Sequence, residues 1–349
     1  MEEEKGFALL KKYRSCLMGF AALWILFFHL WMPVLHVPVL SAVEIFIKRI
    51  GFCGVDIFFF LSGMGLVYSI QSHTTLGFYY QRLRRVVIPF LTIAAFWCVM
   101  EKWSAGQLLR VIFAYDFYFV NIYRLLWFVP AVMTLYLLFP LYYRLFSAAS
   151  NKIIFTLCVL LIWLAASILL KDRLRTDLYG FTNRIPVFCV GCLVGHLSQC
   201  ERHRFKRGAI ETLMLLLLIL GIYLSYLTNY RDMPLLVPVP NCCVPNFLMT
   251  ISICYLFPKA LALLGRIPKM VWLERGIVRV LTFFGMFSLE LYCVQEKTAE
   301  KLIHRFGTYG HTLILNIALF AAMTAAGLLL YWFQRIVWKG LDRIFQKNA

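Results

Sequence analysis

Continuous apolar segments of about bilayer length are the feature that most constrains how this chain can fold. A transmembrane helix needs about 20 mostly apolar residues, and 62% of the 349 residues are hydrophobic, which is more than a soluble core can absorb. The sequence therefore predicts an all-α fold, a polytopic transmembrane helical bundle of about ten spans. The predicted spans lie near residues 16–34, 50–71, 86–102, 125–143, 152–170, 185–200, 209–228, 244–264, 278–297 and 311–337.

One further apolar stretch, residues 104–123, is interrupted by Asp116 and Asn121. We interpret it as a re-entrant or interfacial segment; if it spans the membrane, the count becomes eleven. No linker, repeat or low-complexity tract divides the sequence. We therefore expect residues 1–349 to form a single transmembrane domain, with no soluble catalytic domain.

The charge distribution predicts topology rather than a nucleic-acid partner. The formal net charge is +18, and the basic residues cluster at the ends of the apolar segments. If the N-terminus is cytoplasmic, most of the 35 lysines and arginines fall in the inner segments, which indicates that both termini are cytoplasmic. Contact with anionic membrane lipid accounts for this charge, so we expect no nucleic acid. The eleven cysteines are scattered through apolar segments, and we expect them to pack without binding a metal.

The first predicted span carries two ionisable residues, Arg14 near its start and His29 near its end. An α-helix rises 1.5 Å per residue, so these two residues should be about 22 Å apart along the helix axis. An ionisable group deep in an apolar segment is costly and usually functional. This spacing suits chemistry that connects the two faces of a membrane.

Polar residues also interrupt later spans. Asp56 lies in the run GVDIFFFLSG together with Ser62, and Glu290, Tyr292 and Gln295 lie in FSLELYCVQE. Asp56 and Glu290 are candidates to orient His29, and the other three are candidate substrate contacts. Structural alternatives stay open, because Asp56 could cap or pair near the outer interface and Glu290 could pair with a buried arginine.

Arginines among aromatic residues follow the second span, in FYYQRLRRVVIP. Arg82 and Arg85 are three residues apart and therefore share a helix face, which makes them, with Arg84, candidates to bind phosphates. The alternative is a cluster that only sets membrane topology. Trp127 and Arg184 each lie at the beginning of a later span. Either could contact substrate at the outer face; alternatively, Trp127 is an interfacial anchor and Arg184 is a snorkelling arginine.

Taken together, these blocks resemble the acyltransferase-3 family of integral membrane acyltransferases, which includes bacterial polysaccharide O-acetyltransferases. The resemblance runs nearly end to end, although Met18 stands where the family usually has an arginine, and Gln295 where it often has a histidine. The blocks that carry it are, in the family's order, MGFAALWILFFH, GVDIFFFLSG, FYYQRLRRVVIP, LLWFVPA, RIPVFCVGCLVG and FSLELYCVQ.

The resemblance implies a membrane-bound O-acyltransferase in a bacterial plasma membrane. It would move an acyl group, in the first instance acetyl, from cytoplasmic acetyl-CoA to a hydroxyl of a cell-surface or exported glycan, directly or through a separate extracytoplasmic transferase. His29 would be a general base or a transient acyl carrier, oriented by Asp56 or Glu290. The resemblance implies no metal. The arginines expected to bind acetyl-CoA are Arg14, Arg82, Arg84 and Arg85, and the residues expected to bind substrate are Ser62, Trp127, Arg184, Tyr292 and Gln295.

Two other readings of the same residues stay open. A transporter or flippase for a polar solute or lipid-linked glycan also uses intramembrane His, Asp and Glu, as a proton relay. A catalytically silent relative that acts as a sensor is compatible with Met18 and Gln295. The sequence has no Walker-type glycine-rich loop, which argues against an ATP-driven pump.

Overall fold

The computed structural model describes residues 7–121, 125–170, 173, 175–199, 207–231, 243–306 and 312–347. In that part of the chain the regular structure is helical throughout, so the predicted all-α fold is confirmed. The helices are α1 (Phe7–Lys12), α2 (Arg14–Leu30), α3 (Pro38–Arg49), α4 (Cys53–Ser72), α5 (Thr75–Met100), α6 (Ala105–Ile112), α7 (Tyr115–Phe119), α8 (Phe128–Ala148), α9 (Lys152–Leu169), α10 (Tyr179–Thr182), α11 (Ile185–Leu197), α12 (Arg207–Tyr230), α13 (Cys243–Leu264), α14 (Val271–Met286), α15 (Ser288–Phe306) and α16 (Thr312–Lys347).

The part of the chain that the structure describes contains fewer helices of membrane-spanning length than the sequence contains apolar segments. Seven helices in the described ranges are long and apolar enough to cross a membrane, or eight if α14 and α15, which meet at a 63° bend, form one span. Each of the ten predicted segments coincides with a helix, but α2 has only 17 residues and α11 only 13. The count of about ten, and the membrane side of the termini, therefore stay predictions.

The stretch 104–123 does not form a spanning helix. It folds into α6 and α7, and the eight residues of α6 extend only about 12 Å at 1.5 Å per residue. Ser104 caps the start of α6 with a capping box. Its hydroxyl accepts from the Gln107 backbone amide at 3.3 Å, and its backbone amide donates to the Gln107 side chain at 2.8 Å. Ala114, at φ 56°, separates the two helices in the left-handed region.

Close backbone contact holds α4 against α11. A Cβ atom on Gly63 would lie 2.3 Å from the Phe188 carbonyl oxygen, and one on Gly191 would lie 2.2 Å from the Phe60 carbonyl oxygen. Small residues allow helices to pack this closely, as they do in other membrane bundles. The sequence motif that contains Asp56 is therefore also the motif that fixes its helix in the centre of the bundle.

The register of α2 against α4 sets the depth of the polar residues. Gly54 packs on Ala21 and Ile25, whereas Gly65 packs on the guanidinium of Arg14, so the two helices run antiparallel. Asp56, two residues after Gly54, consequently lies about midway between the two ends of α2.

A charged cluster joins α5 to α15 beyond their apolar parts. Glu101 accepts hydrogen bonds from Lys297 and from Lys301, the latter at 2.7 Å, and Lys297 lies 5.0 Å from the centre of the Trp97 ring. Burial raises the pKa of Glu101, but the hydrogen bonds and charge of the lysines outweigh burial and lower it from its ordinary 4.5 to about 2. Because the folded pKa is depressed, this stabilisation is present above pH 4.5 and is lost as the pH falls towards 2.

We expect Glu101→Gln to lower the free energy of unfolding at pH 7 by about 1.5–3 kcal/mol, the range for hydrogen bonds to charged groups. Thermal unfolding of the detergent-solubilised protein measures the difference. The wild-type and variant stabilities should converge as the pH falls from 4.5 towards 2. A difference that stays constant over this range would show that the ion pairs are not its source.

Candidate functional site

Three arginines converge where α2 begins. The guanidinium of Arg14 donates to the Leu61 carbonyl at 3.3 Å and lies within electrostatic range of Arg82 and Arg85 on α5. A Cβ atom on Gly65 would lie 3.1 Å from the Arg14 Nη2 atom, so the absence of a side chain there makes room for this guanidinium. Arg85 is exposed, whereas Arg82 and Arg14 are only partly exposed. The cluster therefore opens from the surface into the bundle.

The fourth predicted donor-binding arginine is not part of this cluster. Arg84 lies over the Trp338 ring at 5.0 Å and over the Tyr80 ring at 5.8 Å. Neighbouring residues on a helix point about 100° apart, so Arg84 turns towards α16 while Arg82 and Arg85 share the face towards Arg14.

The arginine cluster carries excess positive charge. Within the ranges that the structure describes, none of Arg14, Arg82 and Arg85 forms an ion pair, and the Nε atoms of the first two have no hydrogen-bond partner. Glu290 is in electrostatic range of Arg85. Like charges repel strongly in a low-dielectric interior, so this arrangement favours a bound anion.

Glu290 is buried against α16 rather than beside His29. Only 2% of its surface is exposed, and its Oε1 atom accepts a hydrogen bond from Gln334, which is itself 1% exposed. The sequence analysis did not single out Gln334. A glutamine within the last apolar segment was the available signal, because an amide there needs a partner.

A second polar group lies around Asp56. Its Oδ2 atom forms an ion pair with Arg184 at 3.5 Å and accepts a hydrogen bond from Asn246 at 3.2 Å. Arg184 also donates to the Gly180 carbonyl at 2.8 Å and lies over the Trp127 ring at 5.5 Å. Three residues predicted separately, Asp56, Trp127 and Arg184, are thus neighbours. The sequence analysis did not single out Asn246. The only feature of the sequence that could have indicated its role is a side-chain amide at the start of an apolar segment.

His29 lies in the last turn of α2 and is half-buried. Its ring packs edge-on against Phe28 at 4.9 Å, and the charge of Lys48 on α3 acts on it. Its ring nitrogens make no hydrogen bond to any residue that the structure describes.

The two carboxylates predicted to orient His29 are each engaged with another partner. Asp56 lies about midway along α2, and its charge is balanced by Arg184. Glu290 is bonded to Gln334 and lies towards the arginine cluster. Neither carboxylate forms a hydrogen bond with the ring.

The remaining predicted substrate contacts lie at different places. Tyr292 accepts a hydrogen bond from the Phe128 amide at 3.4 Å, next to Trp127. Gln295 is fully buried, and neither polar atom of its amide has a partner among the described residues. Ser62 is half-buried and follows Leu61, whose carbonyl binds Arg14. It therefore lies closer to the arginine cluster than to Trp127.

The contacts of α16 relate these groups along the bundle. Gln334 meets Glu290, Gly327 packs on Leu291, and Asn316 binds Met32 just beyond the His29 end of α2. Polar groups are therefore distributed from the arginine cluster towards His29. No three His, Cys, Asp or Glu residues in the described ranges are placed to hold a metal ion.

We expect Arg184→Met to destabilise the protein by about 3–5 kcal/mol, because it leaves the buried Asp56 charge unpaired. The double variant Asp56→Asn/Arg184→Met should recover part of this loss. Thermal unfolding in detergent is the measurement. Arg175→Met is the matched control: Arg175 pairs with Asp177 at 2.8 Å and also donates to two backbone carbonyls at 3.2 Å. Its side chain is 30% exposed, so the expected loss is smaller, about 1–2 kcal/mol. Equal losses for both arginines would contradict this account.

Comparison with known proteins places the whole arrangement in one domain model. The model described as "Acyltransferase domain" matches residues 16–333, which leaves only the two ends of the chain unmatched. Arg14 lies just before the matched range, and His29, Asp56, Arg82 and Glu290 lie within it. A search of curated proteins found no match. A search of solved structures found none either.

Proposed function

Because this chain belongs to the acyltransferase-3 family and is a multi-pass membrane acyltransferase, we propose that it moves an acetyl group from acetyl-CoA at one membrane face to a glycan hydroxyl at the other. The observation that carries the proposal is the convergence of Arg14, Arg82 and Arg85 at one end of α2, with His29 at the other. The two ends are about 22 Å apart at 1.5 Å per residue.

The arginine cluster is the proposed donor site. Guanidinium groups bind phosphate oxygens with paired, charge-assisted hydrogen bonds, and coenzyme A carries several phosphates. The exposed Arg85 would meet the donor first, and the partly buried Arg82 and Arg14 would follow. A bound polyanion would also offset the mutual repulsion of the three cations. The long pantetheine arm then extends the thioester into the bundle, towards Glu290, Tyr292 and Gln295.

His29 is the proposed general base. A neutral imidazole accepts the proton of the acceptor hydroxyl, and its nitrogens are not engaged by any described residue. The hydroxyl oxygen attacks the thioester carbon, a C–O ester bond forms, and the C–S bond breaks. The proton on His29 passes to the leaving thiolate, which gives free CoA and neutral His29. In the acyl-carrier variant, the His29 nitrogen attacks first and the acyl-imidazole then transfers to the hydroxyl.

The orientation completes the proposal. Arg84 packs on Trp338 while Arg82 and Arg85 approach Arg14, so α2 begins and α16 ends at the same end of the bundle. With both termini in the cytoplasm of a bacterium, the donor site would face acetyl-CoA and His29 would face the exported glycan. The acceptor is acylated directly or through a separate extracytoplasmic transferase.

The proposed base is tested by His29→Ala in membrane vesicles that contain the full-length protein. We expect acetyl transfer from radiolabelled acetyl-CoA to surface glycan to fall by about 10²–10⁴-fold, the usual contribution of a general base. Undiminished transfer would remove the mechanism. Glycan accumulation in vesicles without acetyl-CoA, and without release of free CoA, would instead support transport. A hydroxylamine-labile label on the wild-type protein would favour the acyl carrier over the base.

The proposed donor site is tested by Arg82→Gln and Arg85→Gln, with Arg84→Gln as the matched control from the same turn of α5. We expect each of the first two to raise KM for acetyl-CoA at least about tenfold, since one charged hydrogen bond contributes about 1.5–3 kcal/mol. Arg84→Gln should leave KM within about twofold, because its contact is with Trp338. An equal rise in KM for all three variants would mean that only the general positive charge matters.

A further inference from the structure

Residues 31–35, which follow the helix of His29, form no regular structure but are held by hydrogen bonds to α2, α3 and α16. The Trp31 amide completes α2 by donating to the Phe27 carbonyl at 3.1 Å. Asn316 of α16 binds both backbone groups of Met32, accepting from its amide at 3.0 Å and donating to its carbonyl at 2.7 Å. Residue 33 is a proline and has no amide hydrogen.

Glu44 of α3 holds the rest of this segment. Its carboxylate accepts from the Trp31 indole at 2.6 Å, from the Val34 amide at 3.1 Å and from the Leu35 amide at 2.9 Å. Only 7% of Glu44 is exposed. Every backbone amide hydrogen from residue 31 to residue 35 therefore has an acceptor, and for two of these amides the acceptor is the buried Glu44 carboxylate. Hydrogen bonds to an ionised acceptor are about twice as strong as neutral ones.

The helix that carries Glu44 lies along the His29 end of α2. Glu44 and Lys48 are one helical turn apart on α3, and both act on the His29 end of α2. Gly51, two residues beyond the end of α3, packs on the Trp24 carbonyl and on Phe28. The Trp24 indole also donates to the Ile47 carbonyl at 3.0 Å. Apolar side chains of α3, among them Val39 and Val43, are exposed. Helix α3 thus supports α2 through Glu44 and leaves apolar side chains free to contact lipid.

We propose that Glu44 is a positioning residue for His29. This inference rests on the proposed function. His29 is in the last turn of α2, where helices fray, and no described residue bonds its ring directly. The position of the ring therefore depends on the backbone that carries it. Glu44 holds the Trp31 side chain two residues further on, and it bonds the backbone that follows at Val34 and Leu35. A displacement of about 1 Å at a reacting group can cost about 10²-fold in rate.

The first test compares Glu44→Gln with the wild type in membrane vesicles. A glutamine keeps the size of the side chain but has one acceptor oxygen instead of two, so it cannot serve all three donors. We expect kcat for acetyl transfer to fall at least about tenfold. KM for acetyl-CoA should stay within about twofold, because the proposed donor site lies about 22 Å away along α2. Glu211→Gln is the matched control. Glu211 pairs with Lys259 of α13, and nearby Leu261 packs at the start of α2, so this pair lies at the end of α2 that is far from His29.

The second test asks whether Glu44 acts through His29. In a His29→Ala background, Glu44→Gln should cause no further loss of the residual activity, because residues that act as a unit are not additive. Trp31→Phe removes one hydrogen-bond donor to Glu44 and keeps an aromatic ring at the position where Trp31 stacks on Phe27 at 5.0 Å. It should lower kcat by a smaller factor than Glu44→Gln does. This milder variant keeps the proposal testable if Glu44→Gln fails to fold.

The outcomes separate this proposal from the proposed function. If His29→Ala is inactive while Glu44→Gln and Trp31→Phe keep the wild-type kcat, Glu44 is not a positioning residue and the proposed function stands. If Glu44→Gln lowers the residual activity of His29→Ala by the same factor as it lowers the wild-type activity, its role is general folding and the inference is wrong. If His29→Ala is fully active, the proposed function itself fails.

Discussion

Charged side chains inside an apolar helical bundle must be neutralised by a partner, and this constraint organises the whole molecule. An unpaired charge is very costly where water is excluded. Asp56 meets the constraint with Arg184 and Asn246, and Glu290 is bonded to Gln334. In each pair the partner comes from a helix far away in sequence, so the polar contacts also define which helices are neighbours.

The arginine cluster departs from this rule, and the departure is informative. Arg14, Arg82 and Arg85 approach one another without an ion pair in the described part of the chain. Natural proteins break such rules mainly at functional sites. Excess cationic charge beside the surface suits an anionic ligand that arrives from solution, which is what a coenzyme A phosphate group is. Gln295, buried and without a partner for its amide among the residues that the structure describes, is a similar departure deeper in the bundle.

Helix α2 is the element on which both ends of the proposed reaction depend. It carries Arg14 in its first turn and His29 in its last, and a single rigid helix fixes the distance between them. The two ends are supported differently. Contact with α4 and α5 surrounds Arg14, whereas the His29 end is held from outside by α3 and α16, through Glu44 and Asn316. The backbone that carries His29 is thus held at two points close beyond the ring.

Sequence patterns determined most of the helical framework of this protein, because hydrophobicity over about 20 residues is a local property. Helix periodicity also predicted that Arg82 and Arg85 share a face, and the same geometry turns Arg84 away. The 63° bend within the predicted span 278–297 was not visible, since no proline marks Phe287, where the two helices meet.

Only the tertiary structure decided which polar residues pair. By sequence, Asp56 and Glu290 were equally suited to support His29, because each is a carboxylate in an apolar run. Depth along α2 and the positions of Arg184 and Gln334 assign them elsewhere. Glu44 attracted no attention in the sequence, since its partners are backbone amides that any residues would supply. Composition records which groups need partners, but the packing of distant helices determines which partner each group meets.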